Sequence, residues 1–508
     1  MFAVTNSVGM FGMNAFPVTV EAELFRGSPQ FDLSGLPDAG IKESRDRVRS
    51  ATSSIGIKFP KGKVLINLAP ANVKKSGSSF DLAIFVALMQ AMDILPLRMP
   101  DCVFIGELGL HGTIRGVRGI MTMVMLARKN GFHEVYVPLE NVREASVIDN
   151  IRVYGVDTVD RLMQHLLDQS VIPPAPHYMP EIPSTLAGLL DFKDVRGQFK
   201  ARSGIELAAA GGHNLLLVGS PGSGKSMLAN RLPTILPQMT HEEILETSNV
   251  YSVAGLLPPE QPLIVQRPFR APHHTISSAG LVGGGSIPVP GEISLAHNGV
   301  LFLDEMAEFN RATLEILRQP LENRKVSISR VSGTAEYPCN IMLVGAMNPC
   351  PCGYYGSTQK QCTCTQKQIK NYISRISGPL LERFDMHIDV DPISYDEFAS
   401  KEQPESSVSI RERVNLARKR QEERYKGLGF YCNSMIPDNL LNEFCKMTPE
   451  AENLFSKMYI HYKMSARTGA RIKKVARSAA DLHGNELITN QDISMAVQFR
   501  GFDSKYLQ

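Results

Sequence analysis

The distribution of apolar positions divides the first 172 residues into alternating strands and helices. Residues 18–25 alternate as a strand does, whereas residues 80–92 are apolar on all sides and long enough for a buried helix. The remaining periodic segments are strands at 64–68, around 103–108 and at 135–137, and helices at 42–50 and 121–130. This order of segments predicts a compact α/β domain.

Three short apolar runs in the middle of the chain, at 215–218, 300–303 and 341–347, have the composition of buried strands. The chain from about residue 395 is helical in pattern, with a helix over 408–426 and another from Ser465 to about His483 that Gly484 closes. A proline-rich segment at 173–187 favours an extended, semi-rigid connection instead of packed structure. The predicted domains are therefore 1–172, 188–394 and 395–508, with 173–187 as a linker.

Composition and charge limit the possible functions only loosely. The 508 residues are 43% hydrophobic and 21% charged, which is ordinary for a folded protein of several domains. A net charge of +3 is too small to indicate a nucleic-acid binder, so any DNA site must be local. Residues 1–17 carry no basic leader, and the eight cysteines suit a reducing compartment better than a disulfide framework. We expect a cytoplasmic protein.

Residues 219–226 fit the pattern G-x-x-x-x-G-K-[ST] between a predicted strand and a predicted helix. In such a loop the backbone N–H groups point at phosphates, and the helix N-terminus adds a partial positive charge. Lys225 would reach the β- and γ-phosphates, and Ser226 would bind Mg²⁺. A glycine-rich turn that matches by chance is the alternative. The predicted nucleotide-binding residues of the loop are Gly219, Ser220, Pro221, Gly222, Ser223, Gly224, Lys225 and Ser226.

Two other predicted strands end in side chains suited to phosphate chemistry. Asp304 and Glu305 follow the strand at 300–303, where Asp304 can hold the hydrated Mg²⁺ and Glu305 can deprotonate the attacking water. Asn348 follows the strand at 341–347 and can contact the γ-phosphate or that water. For the two acids, the alternative is a buried strand that ends in surface carboxylates.

With these motifs in this order, the central domain resembles AAA+ ATPases, which implies a parallel sheet, ATP and Mg²⁺. Asn348 resembles the sensor 1 residue, Arg383 the arginine finger that acts on a neighbouring subunit, and Arg467 the sensor 2 residue of a helical lid. A surface salt bridge from Arg383 to Glu382 or Asp385 is the alternative. An arginine that acts in trans requires a ring, and the resemblance implies a hexamer.

A long insertion rich in proline and glycine separates Ser226 from Asp304, and residues 325–338 predict a β-hairpin. Both features resemble magnesium-chelatase-type AAA+ proteins, in which they line the pore of the ring. More narrowly, essentially the whole chain resembles the ComM/YifB family. On a hairpin that faces the pore, Lys325 and Arg330 would contact the DNA backbone, with solvated strand ends as the alternative.

Segments 74–82 and 127–138 of the first domain are similar to the proteolytic domain of Lon proteases, which use a serine and a lysine. Ser79 falls at the position of the nucleophile, but Met121 falls at about the position of the lysine. Because a thioether cannot take a proton at neutral pH, we expect a Lon-like fold without proteolysis. For Ser79 the alternative is an N-cap of the apolar helix that follows.

Four cysteines form the pattern C-x-C-x9-C-x-C. Four soft thiolates in a short polar loop suit a tetrahedral, structural Zn²⁺ site, and reduced free thiols are the alternative. Two adjacent histidines of the insertion, His273 and His274, are more typical of solvated or hydrogen-bonded loop residues than of metal ligands. The predicted zinc ligands are Cys350, Cys352, Cys362 and Cys364.

The motifs together predict an enzyme that hydrolyses Mg-ATP. The resemblance to the ComM/YifB family implies a hexameric branch-migration helicase that acts on branched or single-stranded DNA. The implied processes are natural transformation and homologous recombination, in which recombination proteins can be partners. The alternative is a protein-remodelling ATPase like the magnesium-chelatase motor subunit. Met121 argues against an ATP-dependent protease, and no membrane partner is expected.

Overall fold

The computed structural model describes residues 1–97, 101–179, 190–258, 260–285, 288–330, 333–357, 360–399 and 403–500. Its first part consists of strands β1 (Phe2–Phe11), β2 (Asn14–Phe25), β3 (Gln30–Ser34), β4 (Lys63–Ala69), β5 (Cys102–Phe104), β6 (Glu107–Leu108), β7 (Ile114–Arg115), β8 (Glu134–Pro138) and β9 (Arg152–Val156), and of helices α1 (Ala39–Lys42), α2 (Ser44–Ser54), α3 (Asp81–Ala91), α4 (Ile120–Lys129), α5 (Val142–Ala145) and α6 (Val159–Leu166).

Seven of these strands form one sheet in the order β3-β4-β2-β1-β5-β8-β9. β2 pairs antiparallel with both β1 and β4, and the other neighbours are parallel. Helix α3 packs against β1 and β2, and all of its residues are buried. This burial on every side explains why its sequence lacks a polar face.

Strand β1 has no counterpart among the predicted elements. Its buried positions include Thr5 and Ser7, whose hydroxyls donate to the carbonyls of Ala83 and Phe104 at 3.1 and 2.8 Å. Because buried positions of the strand carry polar residues, the apolar alternation that identifies a strand is interrupted.

The first part of the predicted linker packs against the first domain. The Ala175 N–H donates to the Val153 carbonyl at 2.8 Å, and the Tyr178 N–H donates to the Ser146 carbonyl at 3.0 Å. Residues 171–179 therefore differ from a free spacer, because their backbone groups find partners on the domain that precedes them. The rest of the predicted linker, up to residue 187, lies outside the described residues.

The central part consists of strands β10 (Leu215–Val218), β11 (Phe269–Arg270), β12 (Gly283–Gly284), β13 (Val289–Pro290), β14 (Val300–Leu303), β15 (Lys325–Arg330), β16 (Gly333–Pro338), β17 (Met342–Met347) and β18 (Met386–Asp389), and of helices α7 (Phe199–Gly211), α8 (Lys225–Arg231), α9 (His241–Ala254), α10 (Ser278–Val282), α11 (Glu292–Leu295), α12 (Arg311–Glu315), α13 (Arg318–Asn323), α14 (Gln366–Ile373), α15 (Gly378–Leu381) and α16 (Tyr395–Ala399). Five strands form a sheet in the order β11-β14-β17-β10-β18, and every pair in it is parallel. The predicted α/β class with a parallel sheet is thus confirmed, as is the antiparallel β15–β16 hairpin.

The last part is helical, with α17 (Ser407–Arg424), α18 (Leu441–Phe444), α19 (Pro449–His461), α20 (Ala466–His483) and α21 (Asn490–Gln498). The Ser465 side chain caps α20, and Gly484 ends it with φ of 81°. Helices α17 and α20 pack on α7, and their apolar residues share one buried cluster with β10 and β18. The helical part is therefore continuous with the core of the central part.

Several contacts join the first part to the central part, and two of them involve α4 and the turn between β1 and β2. Helix α4 lies against α9, where the Gly119 N–H donates to the Ser252 carbonyl at 3.2 Å and the Thr122 side chain hydrogen-bonds with Asn249. At the turn between β1 and β2, Gly12 approaches Ala335 so closely that a Cβ would lie 2.7 Å from that side chain. The first part therefore touches both α9 and the β15–β16 hairpin.

Candidate nucleotide-binding site

The loop at 219–224 connects the carboxyl end of β10 to the first turn of α8. Gly222 and Gly224 have φ of 76° and 95°, in the left-handed region that favours glycine. At Gly219 a Cβ would lie 2.3 Å from the Val390 carbonyl oxygen, so that position also requires glycine. The backbone turns sharply here and places the N-terminus of α8 at the carboxyl edge of the sheet.

Lys225 lies inside this loop. Its Nζ donates to the carbonyls of Gly219 and Ser220 at 2.8 and 2.9 Å, and to the Asn348 side-chain oxygen at 3.2 Å. Burial lowers the pKa of Lys225, while the nearby carboxylates of Asp304 and Glu305 oppose that shift. The ammonium group is thus held where the loop backbone and the end of β17 meet.

The loop has unused hydrogen-bonding capacity. The hydroxyls of Ser220 and Ser223 are buried and have no hydrogen-bond partner among the described residues. A Cβ at Gly222 would meet no atom within 4 Å, so the space beside the backbone is open there. A glycine-rich turn with unpaired polar groups, a lysine and a helix N-terminus fits a bound phosphate chain.

The candidate magnesium ligands are in direct contact. The Ser226 Oγ donates to Asp304 Oδ2 at 2.6 Å, so the first turn of α8 and the end of β14 meet at this hydroxyl. A hydroxyl and a carboxylate are hard oxygen ligands of the kind that Mg²⁺ prefers. The residues present therefore fit the ATP and Mg²⁺ predicted from the sequence.

Glu305 has an unusual backbone conformation. Its φ of 49° is uncommon for a residue other than glycine, and its N–H donates to Asp304 Oδ1 at 2.9 Å. The Glu305 side chain is 61% exposed, and its Oε2 lies 3.8 Å from Nδ1 of His274. Sequence reasoning missed this neighbour because His274 belongs to the loop after β11, and only the pairing of β11 with β14 brings the two together.

The other predicted catalytic residues, Arg383 and Arg467, lie at the opposite edge of the same sheet. They line a cavity of about 800 Å³ together with Arg471. The same cavity is lined by residues that directly precede parallel strands, namely Asn214 before β10, Ile341 before β17 and Asp385 before β18. Lys225 follows the carboxyl end of β10, so the sheet separates it from these arginines.

The ion pairs at this edge differ from the alternatives expected from the sequence. Arg383 pairs with Glu322 at 3.0 Å, whereas Glu382 pairs with Arg467 at 3.3 Å and Asp385 with Arg471 at 3.4 Å. The alternative role of Arg383 in a salt bridge with Glu382 or Asp385 is therefore wrong, because α13 brings Glu322, an acid more distant in sequence, to it. Nε of Arg383 and Nη1 of Arg471 are buried and have no hydrogen-bond partner within the described part of the chain.

Comparison with known proteins accounts for nearly the whole chain. Family models match residues 20–141 as subunit ChlI of Mg-chelatase, residues 191–398 as magnesium chelatase, subunit ChlI, and residues 404–500 as the C-terminal part of that subunit. The chain is 38% identical over 506 residues to the uncharacterized protein YifB of Escherichia coli (strain K12), covering 99% of this chain and 97% of the relative. It is 39% identical over 506 residues to the competence protein ComM of Haemophilus influenzae, covering 98% and 97%.

This chain belongs to the ComM/YifB family of magnesium-chelatase-type AAA+ proteins. A likeness to Lon proteases is confined to part of it. The chain is 25% identical to the Lon protease of Rickettsia prowazekii over 162 residues, which are 30% of this chain and 20% of that protease. Among the residues that the structure describes, no helix combines the length and apolar character needed to cross a bilayer.

The residues of the ComM/YifB chain that match the Lon dyad do not form one. Met121 is fully buried in an apolar cluster. Ser79 is buried just before α3, but the N-cap of that helix is Phe80 and no side chain caps it. The alternative role of Ser79 as an N-cap is therefore wrong, and its carbonyl accepts from the Gly106 N–H at 2.9 Å instead.

The four cysteines of the predicted zinc site converge. Their sulfurs all lie within 4.8 Å of one another, and no other group of three or more His, Cys, Asp or Glu residues in the described ranges is arranged to hold a metal. Cys350 is buried and the other three are half-buried. His273 hydrogen-bonds with Thr275 at 2.9 Å, so this histidine is a hydrogen-bonded residue of its loop.

The two predicted DNA contacts lie on the exposed surface of the β15–β16 hairpin. Nζ of Lys325 lies 3.4 Å from Glu336 across the hairpin, and both side chains are more than half exposed. Arg330 donates to the Gly285 carbonyl of the insertion at 3.4 Å. Neither contact buries the charge, so both cations are available to an anionic partner.

Proposed function

We propose that this member of the ComM/YifB family hydrolyses Mg-ATP as a hexameric ring motor that moves on branched or single-stranded DNA. The observation that supports the proposal best is the separation of two sets of residues by one sheet. The loop with Lys225 lies at the carboxyl edge, and the half-buried Arg383, whose Nε has no hydrogen-bond partner among the described residues, lies at the amino edge beside Arg467. Each set would complete the site of a neighbouring copy, so a ring would join them.

In the proposed reaction, each residue of the site has its own role. The backbone N–H groups of 219–226 and Nζ of Lys225 bind the phosphates, and Ser226 Oγ and Asp304 would hold Mg²⁺. When bound, the ion neutralises charge on the transferred phosphoryl group. Glu305 accepts a proton from the attacking water, and Asn348 orients that water. Arg383 and Arg467 of the next copy would stabilise the developing negative charge.

The proposed cargo is DNA, and the work is branch migration in natural transformation and homologous recombination. The name of the Haemophilus influenzae relative, a competence protein, supports this. The exposed Lys325 and Arg330 on the hairpin would contact phosphates. The proposal places the protein in the cytoplasm, where its DNA and ATP meet, and it includes no proteolysis, because Met121 stands where the Lon family has lysine.

The second candidate is a protein-remodelling ATPase. The match of the family models to a magnesium chelatase subunit favours it, because it covers the same motor residues without pointing to DNA. Both candidates use the nucleotide site in the same way and differ only in the partner that stimulates it.

One experiment distinguishes these two candidates. We expect ATP hydrolysis to rise with forked or four-way DNA, and the DNA concentration needed for half of this effect to increase steeply with salt as counterions are released. Lys225→Ala serves as the inactive control. Hydrolysis that is indifferent to every DNA form, but raised by a protein partner, would refute the DNA motor and favour the alternative.

We also propose that the cysteine cluster binds one structural Zn²⁺. The four sulfurs lie close together while all eight cysteines are free thiols, which supports this proposal. Elemental analysis of protein purified without added metal tests it, and a zinc content far below one ion per chain would refute it.

A further inference from the structure

The separations of the four sulfurs suit a single ion. Sγ of Cys350 lies 3.3 Å from that of Cys352 and 3.7 Å from that of Cys362, and Cys352 and Cys362 are 3.5 Å apart. Four sulfurs about 2.3 Å from a central Zn²⁺ would be about 3.8 Å from one another in a tetrahedron. A disulfide needs about 2.05 Å between sulfurs, so none of these pairs is bonded. A cluster of several irons would hold the thiolates farther apart.

One side of the cluster touches the nucleotide loop. Cys350 lies two residues after Asn348, and Gly353, with φ of 83°, packs against Pro221 of the loop. A Cβ on Gly353 would lie 2.5 Å from Cδ of Pro221, so only a hydrogen fits there. The segment that carries Cys350 and Cys352 therefore lies beside both Asn348 and the phosphate-binding loop.

The other side of the cluster adjoins the start of α14. Thr365 follows Cys364 and caps α14 in a reciprocal pair of hydrogen bonds with Gln368. The buried Tyr372 of α14 packs in the same apolar cluster as Cys350. After α14 the chain continues through α15 to Arg383.

We propose that one Zn²⁺ held by the four thiolates fastens the end of β17 to the start of α14, and that this metal clamp is required for ATP hydrolysis but not for ATP binding. The clamp, formed by the ion with residues 350–357 and 360–364, positions Asn348 on one side and, on the other, the start of the segment that continues through α14 and α15 to Arg383. Two of the three hydrogen bonds that hold Lys225 go to carbonyls of its own loop and the third goes to Asn348, so we expect phosphate binding to depend much less on the clamp than hydrolysis does. This inference rests on the proposed ATPase function for its kinetic part only.

The test compares Cys362→Ser and Cys364→Ser with the matched control Cys102→Ser in the full chain. Cys102 is a buried cysteine of the first domain whose thiol donates to Glu134 at 3.2 Å, a bond that a serine hydroxyl can also make. We expect about one zinc per chain in the parent and the control and much less in the cluster variants. Cobalt(II) added to metal-free parent protein should give the charge-transfer absorption of a tetrahedral thiolate site.

For the kinetic part, we expect the cluster variants to bind a fluorescent ATP analogue with nearly the parental Kd, while kcat falls by about 10-fold or more, as for other groups that orient a site from outside it. A variant that loses the metal and keeps the parental kcat would overturn the clamp, and so would an equal loss of nucleotide affinity and kcat. Less than about one tenth of a zinc per chain and no cobalt–thiolate absorption would overturn the metal site.

A measurement on the unmodified protein keeps the inference testable if the variants do not fold or if the parent hydrolyses no ATP. Removing the metal with a chelator should speed amide hydrogen exchange in residues 342–353 and 365–373, and zinc should restore protection. Unchanged exchange would overturn the clamp. Absence of ATP hydrolysis in the parent would instead refute the proposed function, while the exchange data still decide the clamp.

Discussion

Arg383→Ala should abolish ATP turnover with little effect on folding. The Arg383 side chain is 14% exposed and has one ion pair, to a Glu322 side chain that is 61% exposed, and such pairs contribute about 0–1 kcal/mol. An arginine finger is worth about 10³ to 10⁵ in turnover, or about 4–7 kcal/mol of activation free energy. The catalytic effect thus exceeds the structural one by several kcal/mol. Glu322→Gln is the matched control, because it removes the ion pair and keeps the arginine.

Mixing two inactive variants tests whether the arginine acts on a neighbour. Lys225→Ala lacks a working phosphate loop but offers Arg383, whereas Arg383→Ala keeps the loop and lacks the arginine. If the subunits assemble at random in equal amounts, about a quarter of the seams combine the intact halves, so about a quarter of the parental rate should return when seams act independently. No recovery on mixing, or a parental rate in Arg383→Ala alone, would refute this reasoning.

Three other predictions concern the nucleotide site, the hairpin and the domain contact. Glu305→Gln should bind ATP and hydrolyse it about 10² to 10⁴-fold more slowly, whereas Lys225→Ala should fail to bind it; a parental rate in Glu305→Gln would exclude Glu305 as the base. Replacing Lys325 or Arg330 by Ala should weaken DNA stimulation and lower the salt slope by about one each, and an unchanged slope would contradict a phosphate contact. Burial between α5 and α9 raises the pKa of Glu144, so the folded state binds the carboxyl proton more tightly than the unfolded state does. The folded state therefore loses stability as the pH rises from the unfolded pKa through the folded pKa. Glu144→Gln should raise Tm more at pH 8 than at pH 5, and an equal change in Tm at both pH values would contradict this.

Features that depend on neighbours in sequence could be predicted without the structure. The loop at 219–226 and the four cysteines are short patterns, and the structure brings the members of each together. The carboxylates after β14 and the amide after β17 were predicted from strand ends, and parallel strands place such ends at one edge of a sheet. Their roles stay predictions until the variants are measured.

Features that depend on distant residues could not be predicted. Glu322 is the partner of Arg383 because α13 packs near the amino edge of the sheet, and no local spacing indicates that pairing. Strand β1 was missed because Thr5 and Ser7 satisfy buried carbonyls, which breaks the apolar alternation. The position of Arg467 beside Arg383 follows from the packing of α20 on α7, and no pattern in the sequence of the helical part indicates that packing.

The measurement that tests the shared site most directly is the ATP turnover per chain as a function of protein concentration, with the mass of the particles determined by light scattering in the same buffer with ATP and Mg²⁺. We expect turnover per chain to be very low where the protein is a single copy and to rise as rings form, since Lys225 and Arg383 then come from different copies. Full turnover by single copies at every concentration would contradict a site shared between neighbours.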